Sequence, residues 1–118
     1  MYEFLSVSSG GGKSEISITK VAEKSGSDSS FTLTASVSKG TYILVGSSVG
    51  RGGEDNPGNF TSTGELISAI RLKGGYDNQG SSRTYVFVQD VAGNQDISIT
   101  KLGGSGYVSA KAEIYKIL

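Results

Sequence analysis

From Ser30 to Ser38 the chain alternates, with Phe31, Leu33, Ala35 and Val37 apolar and Thr32, Thr34, Ser36 and Ser38 hydroxylated. A period of two belongs to a strand with one face in a core and the other in water. The same reading elsewhere predicts strands at Tyr2 to Val7, Glu15 to Val21, Ser30 to Val37, Thr41 to Ser47, Glu65 to Lys73, Thr84 to Val91, Asp96 to Leu102 and Gly106 to Leu118. No stretch carries a helical period. Gly and Ser clusters punctuate these runs, as turn residues do between short strands. About eight strands at this spacing predict an all-β protein, an antiparallel β-sandwich of jelly-roll type.

Two of these strands are apolar on both faces. Tyr42, Ile43, Leu44 and Val45, and Tyr85, Val86, Phe87 and Val88, read as central strands buried on both sides. In the last strand Val108, Ala110, Ala112 and Ile114 should face the core, leaving Tyr107 and Tyr115 half exposed. The pentapeptide Ile16 to Lys20 recurs as Ile97 to Lys101, each copy after an acidic residue, which predicts two strands in equivalent environments. Gly93-Asn94 between two strand patterns predicts that Thr84 to Val91 and Asp96 to Leu102 pair as a hairpin or at least lie adjacent. From Gly50 to Gly64 a run of about 15 residues has no strand pattern, long for a compact domain and a place where binding residues gather.

Length and charge narrow the partners. A chain of 118 residues has room for one domain, 1–118, with a core stable without metal or disulfide. Eleven basic residues balance eleven acidic ones, so attraction to nucleic acid or to anionic membranes is weak, and self-repulsion between copies is absent. With no cysteine and no histidine the chain lacks thiolate metal sites, the usual zinc ligands and the usual base near neutral pH. The N-terminal stretch has neither a basic segment nor an apolar run of signal-peptide length, and nothing approaches a membrane span of about 20 apolar residues. The expectation is a soluble, unprocessed chain that needs no cofactor.

Candidate chemistry is sparse. Glu54, Asp55 and Asn56 offer oxygen ligands suited to Ca²⁺, but their spacing matches no calcium loop and E-D-N-P-G reads as a proline turn, so no metal is expected. Asp90, Asn94 and Asp96 have the same ambiguity and the same resolution in favour of a turn. Arg51 stands among glycines without the strand, lysine and helix of a phosphate loop. Tyr76, Asp77, Asn78, Gln79 and Arg83 form a polar run with one aromatic, the mix that grips a sugar by stacking and hydrogen bonds. Asn59-Phe60-Thr61 has the glycosylation spacing without a secretory signal. An enzyme would need paired carboxylates of raised pKa, and Glu54 or Asp55 with Asp77 is the pairing the sequence allows. The residues Arg51, Glu54, Asp55, Asn56, Tyr76, Asp77 and Arg83 are thus the candidate ligand or partner contacts, and no catalytic residue is identified.

The stretch VSKGTYILVGSS from Val37, the later RTYVFVQDV and the closing GYVSAKAEIYKIL together resemble small β-sandwich structural proteins of tailed-bacteriophage virions. The resemblance covers about two-thirds of the chain and is one of strand style rather than of an invariant motif. It implies a capsid decoration, head-fibre or tail component, assembled in the host cytoplasm into the virion, whose partners are copies of itself, in trimers or higher assemblies, and other virion proteins. Tyr2, Tyr107 and Tyr115 are the contacts expected on that reading. A carbohydrate- or receptor-binding module, with a host-surface glycan as ligand, is the competing expectation.

Overall fold

The computed structural model describes the backbone of residues 2–9, 12–27, 30–50, 57–77, 80–104 and 109–118, and the side chains of 16–26, 30–50, 57–72, 81–104 and 109–118. Within it nine strands follow in order: β1 (Tyr2–Ser9), β2 (Gly12–Ser27), β3 (Phe31–Val37), β4 (Gly40–Gly50), β5 (Asn59–Ser62), β6 (Ser68–Asp77), β7 (Gly80–Val91), β8 (Gln95–Leu102) and β9 (Ser109–Ile117). They form a six-stranded sheet, β1-β2-β9-β4-β7-β6, and a three-stranded sheet, β3-β8-β5. Every pairing is antiparallel. The protein is an all-β antiparallel sandwich, as the alternation predicts.

From β2 to β5 and again from β7 to β9 the chain crosses between sheets at each step, the winding of a jelly roll. Apart from the β1–β2 pair, only β6 breaks the alternation: it leaves the small sheet a strand short and pairs with β7 at the edge of the large one. The short β5, inside the run expected as a loop, pairs with β8. The predicted β7–β8 hairpin does not form. Gly93 carries no positive φ, unlike Gly58, Gly64, Gly103 and Gly104, so the connection lacks the primed turn a two-residue hairpin requires and carries the chain to the other sheet.

Alternation decides which side chains enter the core. Leu33, Ala35 and Val37 of β3 and Ala110, Ala112 and Ile114 of β9 are buried as expected, together with Tyr42, Leu44, Phe60, Tyr85, Phe87, Ile97 and Ile99. The sheets are in close contact at Gly46, where a Cβ would lie 2.4 Å from the Phe60 ring. Only glycine lets that ring settle against β4, where it also meets Tyr85 with centroids 5.8 Å apart. The repeated pentapeptide occupies opposed environments. In β8 Ile97 and Ile99 lie in the core and Lys101 is fully buried, its ammonium donating to the Gly103 carbonyl. In β2 Ile16, Ile18 and Lys20 share the outer face of Tyr115 and Ile117, where Ile18 is buried at 7% exposure and Ile16 is 37% exposed. Local sequence is identical, but one copy lies at the centre of the small sheet and the other near the margin of the large one.

Candidate protein interaction surface

The two outer faces of the sandwich differ in chemistry. On the small sheet Thr32, Thr34 and Ser36 of β3 lie across from Thr100, Ser98 and Asp96 of β8. Their side chains bond one another, Thr32 to Thr100 at 2.9 Å and Ser36 Oγ donating to Asp96 at 2.6 Å. That face is built for water.

The outer face of the large sheet is divided in two. Across β2, β9, β4, β7 and β6, one row of opposed residues reads Lys20, Tyr115, Ile43, Val88, Ser68, and the next reads Glu23, Glu113, Val45, Val86, Ile70. A third reads Ser25, Lys111, Ser47, Thr84, Leu72. In the first two rows the β2/β9 half is mainly charged and the β4/β7/β6 half mainly aliphatic; the third places Ser47 and Thr84 in that second half, and the row before the first reads Ile18, Ile117, Thr41, Asp90. Ile70 is 51% exposed and Leu72 57%, while Ile43, Val45, Val86 and Val88 are half-buried. The expectation that Tyr42–Val45 and Tyr85–Val88 are buried on both faces is therefore corrected: no described segment covers their outer side. An aliphatic strip of this kind, bordered by polar residues, is a candidate interaction surface.

The ionic half is closed on itself. Glu23 and Glu113 stand directly opposite, a repulsive placement. Lys20 relieves it, reaching both carboxylates at 2.9 Å, and Lys111 lies 3.3 Å from Glu23 and 3.9 Å from Glu113. The Tyr115 hydroxyl donates to Glu113 at 2.6 Å. Hydrogen bonds to Glu113 and then Glu23 raise the Lys20 pKa above its ordinary value. The Glu23 pKa is lowered, first by Lys20 and then by Lys111. At Glu113 partial desolvation pushes upward, but the bonds from Tyr115 and Lys20 outweigh it and hold the carboxyl below its ordinary range.

Beside the strip a hollow of about 370 Å³ is lined by Ser25, Ser47, Ser82, Thr84, Ser109 and Lys111, among others. Its lining contains no aromatic side chain, so it lacks a platform on which a sugar ring stacks.

The expected contacts are not gathered into a site by the described residues. Arg51, Glu54, Asp55 and Asn56 lie outside them. Tyr76 and Asp77 end β6, where their backbones pair with Ser81 and Gly80, and their side chains lie outside the described set. Tyr76 and Asp77 thus lie in strand β6 and Arg83 in strand β7, and Asn78 and Gln79 lie outside the described residues. Arg83 belongs to β7, is only 5% exposed, and donates from Nη1 to Asn59 Oδ1 at 3.2 Å, the oxygen that also accepts the Tyr85 hydroxyl at 2.8 Å. Its guanidinium ties the start of β5 to the large sheet rather than reaching toward solvent. Asp90 receives the Thr41 hydroxyl and Asp96 that of Ser36, on separate sheets. Among the described residues no three Asp or Glu side chains are placed to hold a metal ion. Tyr2 and Tyr107, two of the expected assembly contacts, have side chains outside the described set, and Tyr115 is half-buried in the ionic network.

The aliphatic strip is the feature that reading single strands overlooks. Its signal was the apolarity of both faces of β4 and β7, taken as burial within the chain. A search for related proteins finds no matching family model, no matching curated protein and no matching solved structure.

Proposed function

We propose that this protein is a non-enzymatic structural module that acts through protein–protein contacts, in keeping with the virion decoration, head-fibre or tail components its strands resemble. One observation carries the reading: of the two outer sheet faces, one is mainly hydroxylated and the other exposes a strip of aliphatic side chains. Exposed Ile and Leu weaken a solitary globule without adding chemistry, whereas in an assembly they provide the buried centre of an interface. The resemblance favours a trimer among the homo-oligomers. Zero net charge and the absence of histidine and cysteine suit a passive assembly part. The glycan-binding reading has less support, since Arg83 is committed to the interior and the hollow beside the strip offers hydroxyls without an aromatic plane.

The test is the molar mass of the purified protein by light scattering at several concentrations, with and without EDTA. A multiple of the 12.2 kDa chain mass, unaffected by EDTA, supports the assembly reading. A monomer at every concentration removes self-assembly as its basis, and an assembly lost in EDTA returns attention to a calcium site at Glu54, Asp55 and Asn56.

A further inference from the structure

We infer that the ribbon formed by β1 and the first half of β2 is an exchanged arm: its β1 edge adds as a strand beside β5 of a second copy, over the inner face of that copy's β6. This rests on the assembly reading and adds a contact separate from the aliphatic strip.

The receiving place follows from the unequal sheets. Asn59 and Phe60 of β5 meet Tyr85 of β7, so β5 lies over β7, and its neighbour β8 packs on β4. The small sheet ends at β5, and the next position lies over β6. The Thr63 N–H donates to the Ser98 carbonyl, and the pairs Thr61–Thr100 and Asn59–Leu102 continue that register. Alternate residues of an antiparallel ladder turn their peptide groups the other way. Those of Phe60 and Ser62 therefore point to the free edge of β5, where no described strand pairs with them. Beyond that edge Ala69 and Arg71 of β6, opposite Phe87 and Tyr85, are exposed on the inner face. One extended strand fits this step, its backbone bonding β5 and its side chains covering β6.

The donor is a strand without a setting of its own. β1 pairs with Gly12–Thr19, whereas β9 pairs with β2 only from Ile18 onward. Leu5–Ser9 and Gly12–Ile16 thus form a two-stranded ribbon about 17 Å long that runs past the end of β9. β2 is the element against which β1 packs. A lone two-stranded ribbon is marginal in water, yet this one includes Leu5, Val7 and Ile16. The chain's own step is out of reach, since β1 and β6 are opposite margins of the large sheet, about 24 Å apart. The contact therefore joins unlike surfaces of two copies, as in head-to-tail assemblies.

Charge selects β1 among the strands with a free edge. The step presents Arg71, with Lys73 two positions on. Neither β3 nor β5 carries a charge, and in β6 Arg71 and Lys73 outnumber Asp77. β1 has one charged residue, Glu3, in an otherwise apolar and hydroxylated strand. Glu3 of one copy over Arg71 of the other sets opposite signs together, whereas a second β6 in the same place would repel.

Light scattering and sedimentation of the full chain, from low micromolar to several hundred micromolar, provide the test. The mass of the parent should rise above 12.2 kDa with concentration. Arg71→Glu and Glu3→Arg should each weaken association by about fivefold, and the double variant Glu3→Arg/Arg71→Glu should recover most of it. That recovery separates a lost contact from a lost fold. On association the amides of Phe60 and Ser62 should exchange with solvent about tenfold more slowly, while that of Thr61, already turned toward β8, stays the same. An assembly indifferent to both single variants, or one in which the Phe60 and Ser62 amides gain no protection, leaves the structural-module reading standing and overturns the arm exchange. A parent chain that is monomeric at every concentration overturns both.

Discussion

At Gly46 a single missing carbon sets how closely the sheets approach. With the Phe60 ring where a Cβ would stand, Gly46→Ala forces the ring or the strand to move. Overpacking of this kind costs about 1–3 kcal/mol, and chemical denaturation of the variant should show a loss in that range. Arg83 illustrates how a polar side chain becomes structural. Its guanidinium and the Tyr85 hydroxyl converge on Asn59 Oδ1, which anchors the four-residue β5 to β7. Tyr85→Phe removes one of the two donors and should lower stability by about 1 kcal/mol in the same measurement, with the strand content unchanged. The same Asn59 carries the glycosylation spacing, yet its side-chain oxygen is occupied by these two donors.

Two elements carry the pH dependence and the local dynamics. The β2/β9 pair joins Glu23 and Glu113, whose pKa values are lowered on folding, to Lys20, whose pKa is raised. For the carboxylates, stabilisation is present above their unfolded values and disappears as pH falls through the lowered folded ones. For the lysine it is present below the unfolded value and disappears as pH rises through the raised one. The network therefore contributes at neutral pH and fades on acidification below the ordinary glutamate pKa of 4.5. Thermal unfolding followed from pH 6 to pH 3 should show a falling midpoint, and Glu113→Gln should make that fall shallower. Strand β6 differs from its neighbours because it pairs only with β7, and its described side chains from Ser68 to Leu72 are exposed on both faces. By contrast β4 is paired on both edges and buried on its inner face. Amide exchange at dilution should be about a hundredfold faster in β6 than in β4.

For the whole molecule, the unequal sheets decide the shape and the surface. The Cα radius of gyration is 15.6 Å, against about 13.5 Å expected for a compact chain of this length. The excess follows from a six-stranded sheet extending past a three-stranded one, so that among the described residues β6 is left exposed on both faces from Ser68 to Leu72. An association driven by the aliphatic strip should respond to solutes as apolar burial does. Sulfate should strengthen it, while added sodium chloride, which screens exposed ion pairs, should weaken it little. Concentration-dependent scattering in the two salts distinguishes this from an assembly held by charges.

Much of the architecture is a local property of the chain, because alternation in strands such as β3 and β9 assigns each side chain to a face without reference to anything distant. That suffices for the all-β class, the sandwich with its two central strands, and the inward set of Leu33, Ala35, Val37, Ala110, Ala112 and Ile114. Local pattern cannot say what lies beyond a face. Val45 and Val86 have the composition of buried residues, but they point to the outer face of the large sheet, away from the small one, where no described segment covers them. Partner choice is equally non-local: Gly93-Asn94 suggested a hairpin, and the backbone there instead sends β8 to the other sheet. Arg83 reads as a surface cation until β5 is seen to lie over it. Ile16–Lys20 and Ile97–Lys101 make the same point with identical residues. Chain composition determined that strands would form and which side chains they would turn inward, while tertiary structure decided which faces found cover, because cover comes from residues remote in sequence.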